Sequence, residues 1–153
     1  MKRRRYAVFF YGGIMEYKRI NDVFVVRLDV GDEIITSLTE LCNAEDIKSA
    51  TVQGLGAVND VDVGYYSLEE KRYFTKIFNQ QFEMISLNGN ITRKDGIPYL
   101  HLHIALSDEN YKFYGGHLNR AVISITAEIY VNVLNGEVNR RINPETSLNI
   151  LDI

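Results

Sequence analysis

The sequence predicts an α+β domain: a mainly antiparallel β-sheet with one principal α-helix packed on it. Three observations predict it. Most of the chain alternates apolar and polar residues with a period of two, the pattern of half-buried strands. One segment, residues 32–43, changes to helical spacing. The strand-like runs are separated by short turn signals rather than by further helices, as an antiparallel sheet requires. The chain has 153 residues, which suits one domain, and 46% of them are hydrophobic, enough for a core.

The elements follow in order. Residues 23–28 are β-branched and aromatic and read as a strand, which Gly31 ends. Asp32 is placed to cap a helix, with Glu33 in the first turn. Ile34, Ile35, Leu38, Leu41 and Cys42 then form one apolar helical stripe. The single cysteine, Cys42, lies on this stripe and reads as a buried thiol. Gly54 and Gly56 mark a short strand with close packing or a bulge. Val61, Val63 and Tyr65 alternate with polar or small residues, residues 73–78 form a further strand, and residues 82–91 another. Asp95-Gly96 signals a turn, and Pro98 opens the next strand.

That strand is the most informative stretch. Leu100, Leu102, Ile104 and Leu106 share one face, the core side, while Tyr99, His101, His103 and Ala105 share the other. Residues 111–114 read as a short strand ended by Gly115 and Gly116. A long strand follows over residues 121–133. Ile123, Ile125, Ala127, Ile129 and Val131 lie on one face; Val122, Ser124, Thr126, Glu128 and Tyr130 form a mixed second face suited to packing on another subunit.

Composition narrows the function. No apolar run is long enough for a bilayer span, so no membrane partner is expected. A lone cysteine asks for no oxidising compartment, and the protein reads as cytoplasmic. The first 14 residues hold four of the 17 basic residues and none of the 20 acidic ones, so the remainder carries a net charge of −7. Residues 1–14 therefore read as an N-terminal basic extension and residues 15–153 as the domain. The acidic body would repel a phosphate backbone, so DNA binding would need a local basic patch or an oligomeric arrangement.

The chain has three histidines, and all of them join one pattern. His101 and His103 point the same way from one strand, about 7 Å apart at the backbone. His117 follows Gly115 and Gly116, whose freedom suits a loop presenting a ligand. Two or three imidazoles converging on one point suit zinc or a similar divalent metal, with a position left open for water or another molecule. Glu83 and Glu128 interrupt apolar strands. Their structural role would be an ion pair, with Arg27 as the candidate partner; their chemical role would be a fourth ligand or a general base. Gly96, His101, His103 and Glu109 loosely resemble the first motif of the cupins, but the spacings depart from it and no second motif follows. No serine nucleophile elbow or phosphate loop is present.

Taken together, several segments resemble the PPC (plants and prokaryotes conserved) domain family. They are Arg27-Leu28-Asp29-Val30-Gly31-Asp32, Gly54-Leu55-Gly56-Ala57-Val58, residues 81–89, His101-Leu102-His103 and Gly115-Gly116-His117-Leu118. Asp32 stands where that family's opening motif has glutamate. The resemblance implies a compact homotrimer and, in prokaryotic members, a metal, zinc by expectation, held by His101, His103 and His117. Plant members add an AT-hook that enters A·T-rich DNA, and there the domain itself mediates protein contacts. No Arg-Gly-Arg-Pro core is present here. The expected function is a DNA-binding or regulatory homotrimer with a metal site. In that reading Lys2 to Arg5 and the scattered Lys71, Arg72, Lys76, Arg140 and Arg141 serve DNA. A metal-dependent enzyme acting on a small molecule, and a metal-stabilised module for a ligand or protein partner, are the alternatives. Enzyme activity is the less expected of these.

Overall fold

Alternating apolar residues dominate the chain, and they fold as strands. The computed structural model describes residues 6–10 and 13–153. In chain order the elements are β1 (Tyr6–Phe10), β2 (Gly13–Ile20), β3 (Val23–Asp29), α1 (Ile34–Ala44), β4 (Ala50–Ser67), β5 (Arg72–Phe78), β6 (Phe82–Lys94), β7 (Ile97–Ser107), β8 (Phe113–Val133), β9 (Asn139–Ile142) and β10 (Asn149–Asp152). Among the described residues these strands make one ten-stranded sheet, antiparallel throughout except for the short parallel contact of β6 with β9. Four strands close on themselves: β4 pairs with β6 and β8, and β7 pairs with the same two. The mainly antiparallel sheet with one helix is the architecture expected from the alternation.

Helix α1 covers the core beside β7 and β8. Of the predicted stripe Ile34, Leu38, Leu41 and Cys42 are fully buried and Ile35 is partly buried, and each large aliphatic side chain fully removed from water contributes about 1.5–3 kcal/mol. The cap differs from the expectation by one position. Glu33 is the N-cap, and its carboxylate accepts from the backbone N–H of Ile35 and Thr36. Asp32 instead accepts from the Asp29 N–H and closes the turn before the helix. Glu33 also accepts from Ala121 N–H, which ties the helix start to β8.

The irregularity expected at Gly54 and Gly56 is present, but the strand that holds it, β4, is long, 18 residues, rather than short. One predicted break is not a break: β8 runs for 21 residues straight through Gly115 and Gly116, so no strand ends there. A Cβ at Gly115 would overlap the Ile104 carbonyl oxygen, and one at Gly116 would come within 2.7 Å of the Gly64 carbonyl. These glycines let β8 lie close against β7 and β4 rather than turn the chain.

On β8 the predicted inner face is buried at Ile123, Ala127, Ile129 and Val131, but Ile125 is 55% exposed. Between Ala127 and Ile123 the strand passes more residues than its partner β4 does between Gly56 and Val58. Ile125 sits in this bulge and is pushed outward. The N-terminal arm Lys2 to Arg5 lies outside the described residues. β1 falls within the stretch read as an extension and pairs with β2.

Candidate metal centre

The leucine face of β7 decides where the histidines go. Leu102, Ile104 and Leu106 are buried in the core, so their neighbours His101 and His103 must emerge on the opposite face. Antiparallel pairing then supplies the third residue: His103 stands directly opposite His117 of β8. His117 is also in register with Gly64 of β4. It is thus presented by a strand between two others, and not by a loop as its glycines suggested.

The three rings form one cluster. Their centroids are 5.3 Å apart for His101 and His103, 5.2 Å for His101 and His117, and 5.6 Å for His103 and His117. One nitrogen from each lies within 4.8 Å of the other two. His101 and His117 are half-buried, and His103 faces solvent. Burial, with the charges of His117, Arg140 and His103 adding to it, pushes the His101 pKa down to about 4. Burial, then His103 and Arg140, lowers that of His117. These two imidazoles are therefore neutral at pH 7, the form that ligates a metal. Three converging imidazole nitrogens suit zinc and comparable divalent ions, and the exposed His103 side leaves room for a further ligand.

The surroundings add polar groups that the sequence reading did not assign to the site. Tyr73 of β5 packs edge-on against His117, with ring centroids 6.1 Å apart. Its hydroxyl donates to Asn119 Oδ1 at 2.8 Å, and Asn119 Nδ2 donates to Asp62 Oδ1 at 3.2 Å. Gly64 makes this possible, because any Cβ there would overlap the Tyr73 hydroxyl. Asn90 and Thr92 of β6 stand opposite His101 and Tyr99. Arg140 of β9 is buried against Thr92 and Asn90 and stacks on Tyr99, with Cζ 4.5 Å from the ring centroid. Tyr99 was visible from its parity with the histidines. Arg140 was not, because only the distant pairing of β9 with β6 brings it here.

The predicted supporting acids are elsewhere. Glu83 and Glu128 are solvent-exposed, not buried. Glu83 pairs with Ser107, about 16 Å along β6 from the Asn88 that faces His103. Glu128 stands between Arg27 and Leu55, roughly 30 Å along β4 from Gly64. Arg27 lies opposite Glu128 in register but forms its ion pairs with Asp29 at 3.0 Å and Glu16 at 3.3 Å. The strands that looked apolar expose one face to solvent, and on that face a carboxylate needs no buried partner. Cys42 takes no part: burial pushes its thiol pKa up to about 11.

Known structures share this arrangement of strands. A proposed DNA-binding protein from Bacteroides thetaiotaomicron is 31% identical, with a TM-score of 0.88 over 90% of this chain and 96% of its own. A metal-containing protein from Archaeoglobus fulgidus is 32% identical, with a TM-score of 0.80 over 90% of this chain and 97% of its own. A plant- and prokaryote-conserved protein from Pyrococcus horikoshii is 27% identical, with a TM-score of 0.78 over 94% of this chain and 99% of its own. No curated protein matches the sequence. The family model of the Plants and Prokaryotes Conserved (PCC) domain matches residues 15–135, a span that holds the closed strands, the helix and all three histidines; the chain belongs to that family.

Proposed function

We propose that the protein is a DNA-associated regulatory protein that works as a homotrimer and holds one divalent metal ion, zinc by its donor set, on His101, His103 and His117 of each chain. The observation that carries the metal is the convergence of three imidazole nitrogens within 4.8 Å. When bound, the metal supplies a rigid link between β7 and β8 and a position that can take a further ligand. The chain's own residues orient it: the leucine face of β7 sets the histidine direction, and Tyr73 backs His117.

The trimer rests on family membership and on an apolar outer surface. Leu55, Ile85 and Tyr130 are half exposed on neighbouring positions of β4, β6 and β8, a patch suited to a second copy. The DNA role rests on the relatives described as proposed DNA-binding proteins. On this chain the basic residues available to it are Lys71, Arg72 and Lys76, exposed on or beside the edge strand β5, and the arm Lys2 to Arg5. Residues 15–153 are taken as the domain, with residues 1–14 as its extension, in line with the family match starting at residue 15. Among the described residues no helix is long and apolar enough to cross a membrane, and the reading places the protein in the cytoplasm.

Metal content and mass measured together, by elemental analysis and light scattering, test the first two parts. About one zinc per chain in a trimer, lost in His101→Ala, is the expected result; a zinc-free protein or a monomer overturns the corresponding part. Association with duplex DNA should fall steeply with salt and with removal of Lys2 to Arg5, and undetectable binding at low salt overturns that part. A second reading, a metal-dependent enzyme on a small molecule, is favoured by one observation: His103 leaves the cluster open to solvent. Neither Glu83 nor Glu128 stands near enough to be its base. A turnover lost in His103→Ala with the trimer intact would establish it.

A further inference from the structure

Strand β9, near the C-terminus, brings a charge to the histidine face that no carboxylate among the described residues balances. Arg140 is only 9% exposed. Its Nε donates to Thr92 Oγ1 at 2.8 Å, its Nη1 to the Asn149 carbonyl at 3.0 Å, and its Nη2 to Asn90 Oδ1 at 2.8 Å. All of these partners are uncharged, and the Tyr99 ring lies beneath the guanidinium. The arginines with charged partners behave differently: Arg19, Arg27, Arg120 and Arg141 are exposed and reach carboxylates, and buried Arg93 has Asp46 at 3.7 Å. Among the described residues Arg140 makes no ion pair.

Burying a guanidinium without a counter-charge costs free energy, so the position calls for a reason. A guanidinium has five N–H donors. With three engaged, one N–H remains on each terminal nitrogen to donate to an anion. Asn90 and Thr92, which hold Arg140, are the cross-strand partners of His101 and Tyr99. The arginine is therefore set beside His101, and its charge is felt at both His101 and His117. A divalent ion on the three imidazoles next to this cation would make a concentrated positive site.

We propose that Arg140 is the anion-recognition residue of the histidine site: it binds the carboxylate or phosphate group of a small ligand whose charge also faces the metal. The inference rests on the metal reading and extends it to a ligand class. Arg140 lies beyond the residues matched by the family model, so the device belongs to the C-terminal segment of this chain.

The test uses full-length protein loaded with zinc, its metal content measured on the same samples. Acetate and inorganic phosphate are titrated separately by calorimetry, and the tighter of the two identifies the anion class. Saturable binding to wild type is expected, weakened about ten-fold or more in Arg140→Gln at unchanged zinc content. Absence of saturable binding by zinc-loaded wild type, or equal binding by Arg140→Gln, overturns the proposal and leaves the metal site standing. If Arg140→Gln does not fold, Arg140→Lys decides: it keeps the charge and loses the fork, so several-fold weaker binding is expected and wild-type binding overturns the proposal. A wild type that takes up no zinc overturns the metal reading and this proposal with it.

Discussion

His103 on β7 stands directly opposite His117 on β8, and His101 shares its face, so the sheet itself assembles the three-nitrogen cluster. No loop has to close to make it. Removing one imidazole should therefore abolish the site without disturbing the core behind it. His103→Ala, whose side chain faces solvent, is expected to lose zinc while its far-ultraviolet circular dichroism matches wild type. Retained stoichiometric zinc would show that the metal sits elsewhere.

The pH dependence of the metal-free protein follows from the two depressed histidines. An unfolded histidine takes up a proton near pH 6.5, whereas His101 in the folded protein does so only at about 4. The unfolded state thus binds more protons between these values, and stability is lost as the pH falls from about 6.5 toward 4. The contribution is fully present above pH 7. Thermal melts of zinc-free protein across this range should show the decline. In His101→Gln the decline should be smaller, and an equal slope would assign it to other groups.

Gly115 tests whether close strand packing or a flexible turn positions His117. Its added Cβ would overlap the Ile104 carbonyl, within the pairing of β7 and β8. Gly115→Ala is expected to cost about 1–3 kcal/mol by chemical denaturation and to weaken zinc binding, because the strands carrying His103 and His117 are forced apart. Wild-type stability would mean that the strands accommodate the methyl group.

Leu102 lies between the two histidines of β7 and is fully buried. Leu102→Ala should cost about 2–5 kcal/mol, and zinc should recover part of that loss by binding the folded state only. Melting temperatures of the variant with and without zinc check both statements. An unchanged melting temperature without zinc would refute the role of this face as core.

The outer apolar patch predicts a self-association defect. Leu55 is 55% exposed and Ile85 is 50% exposed on adjacent strands. A charge placed there in Leu55→Glu should lower the mass seen by light scattering while leaving zinc content unchanged, since the patch is remote from the histidines. An unchanged mass would remove this face from the interface.

Local sequence determined what depends on near neighbours. The period of two on β7 separated Leu102, Ile104 and Leu106 from His101 and His103, because successive side chains on a strand point to opposite faces. The helical spacing of Ile34, Leu38, Leu41 and Cys42 marked the buried stripe of α1 for the same kind of reason. The histidine pattern offered His117 as a third ligand and the family resemblance agreed, but neither showed how it is held. What needed the tertiary structure were relationships between residues far apart in the chain. The register of β8 against β7 and β4 turned Gly115 and Gly116 from a supposed loop into packing positions, and placed His117 opposite His103. The bulge in β8 exposed Ile125, and the one-sided burial of the sheet left Glu83 and Glu128 in solvent. The contact of β9 with β6 carried Arg140, which composition grouped with the DNA-facing bases, into the histidine face. Alternation within a strand is set by local backbone geometry and can be read from order alone; which strand lies beside which, and in what register, is set by the packing of the whole core.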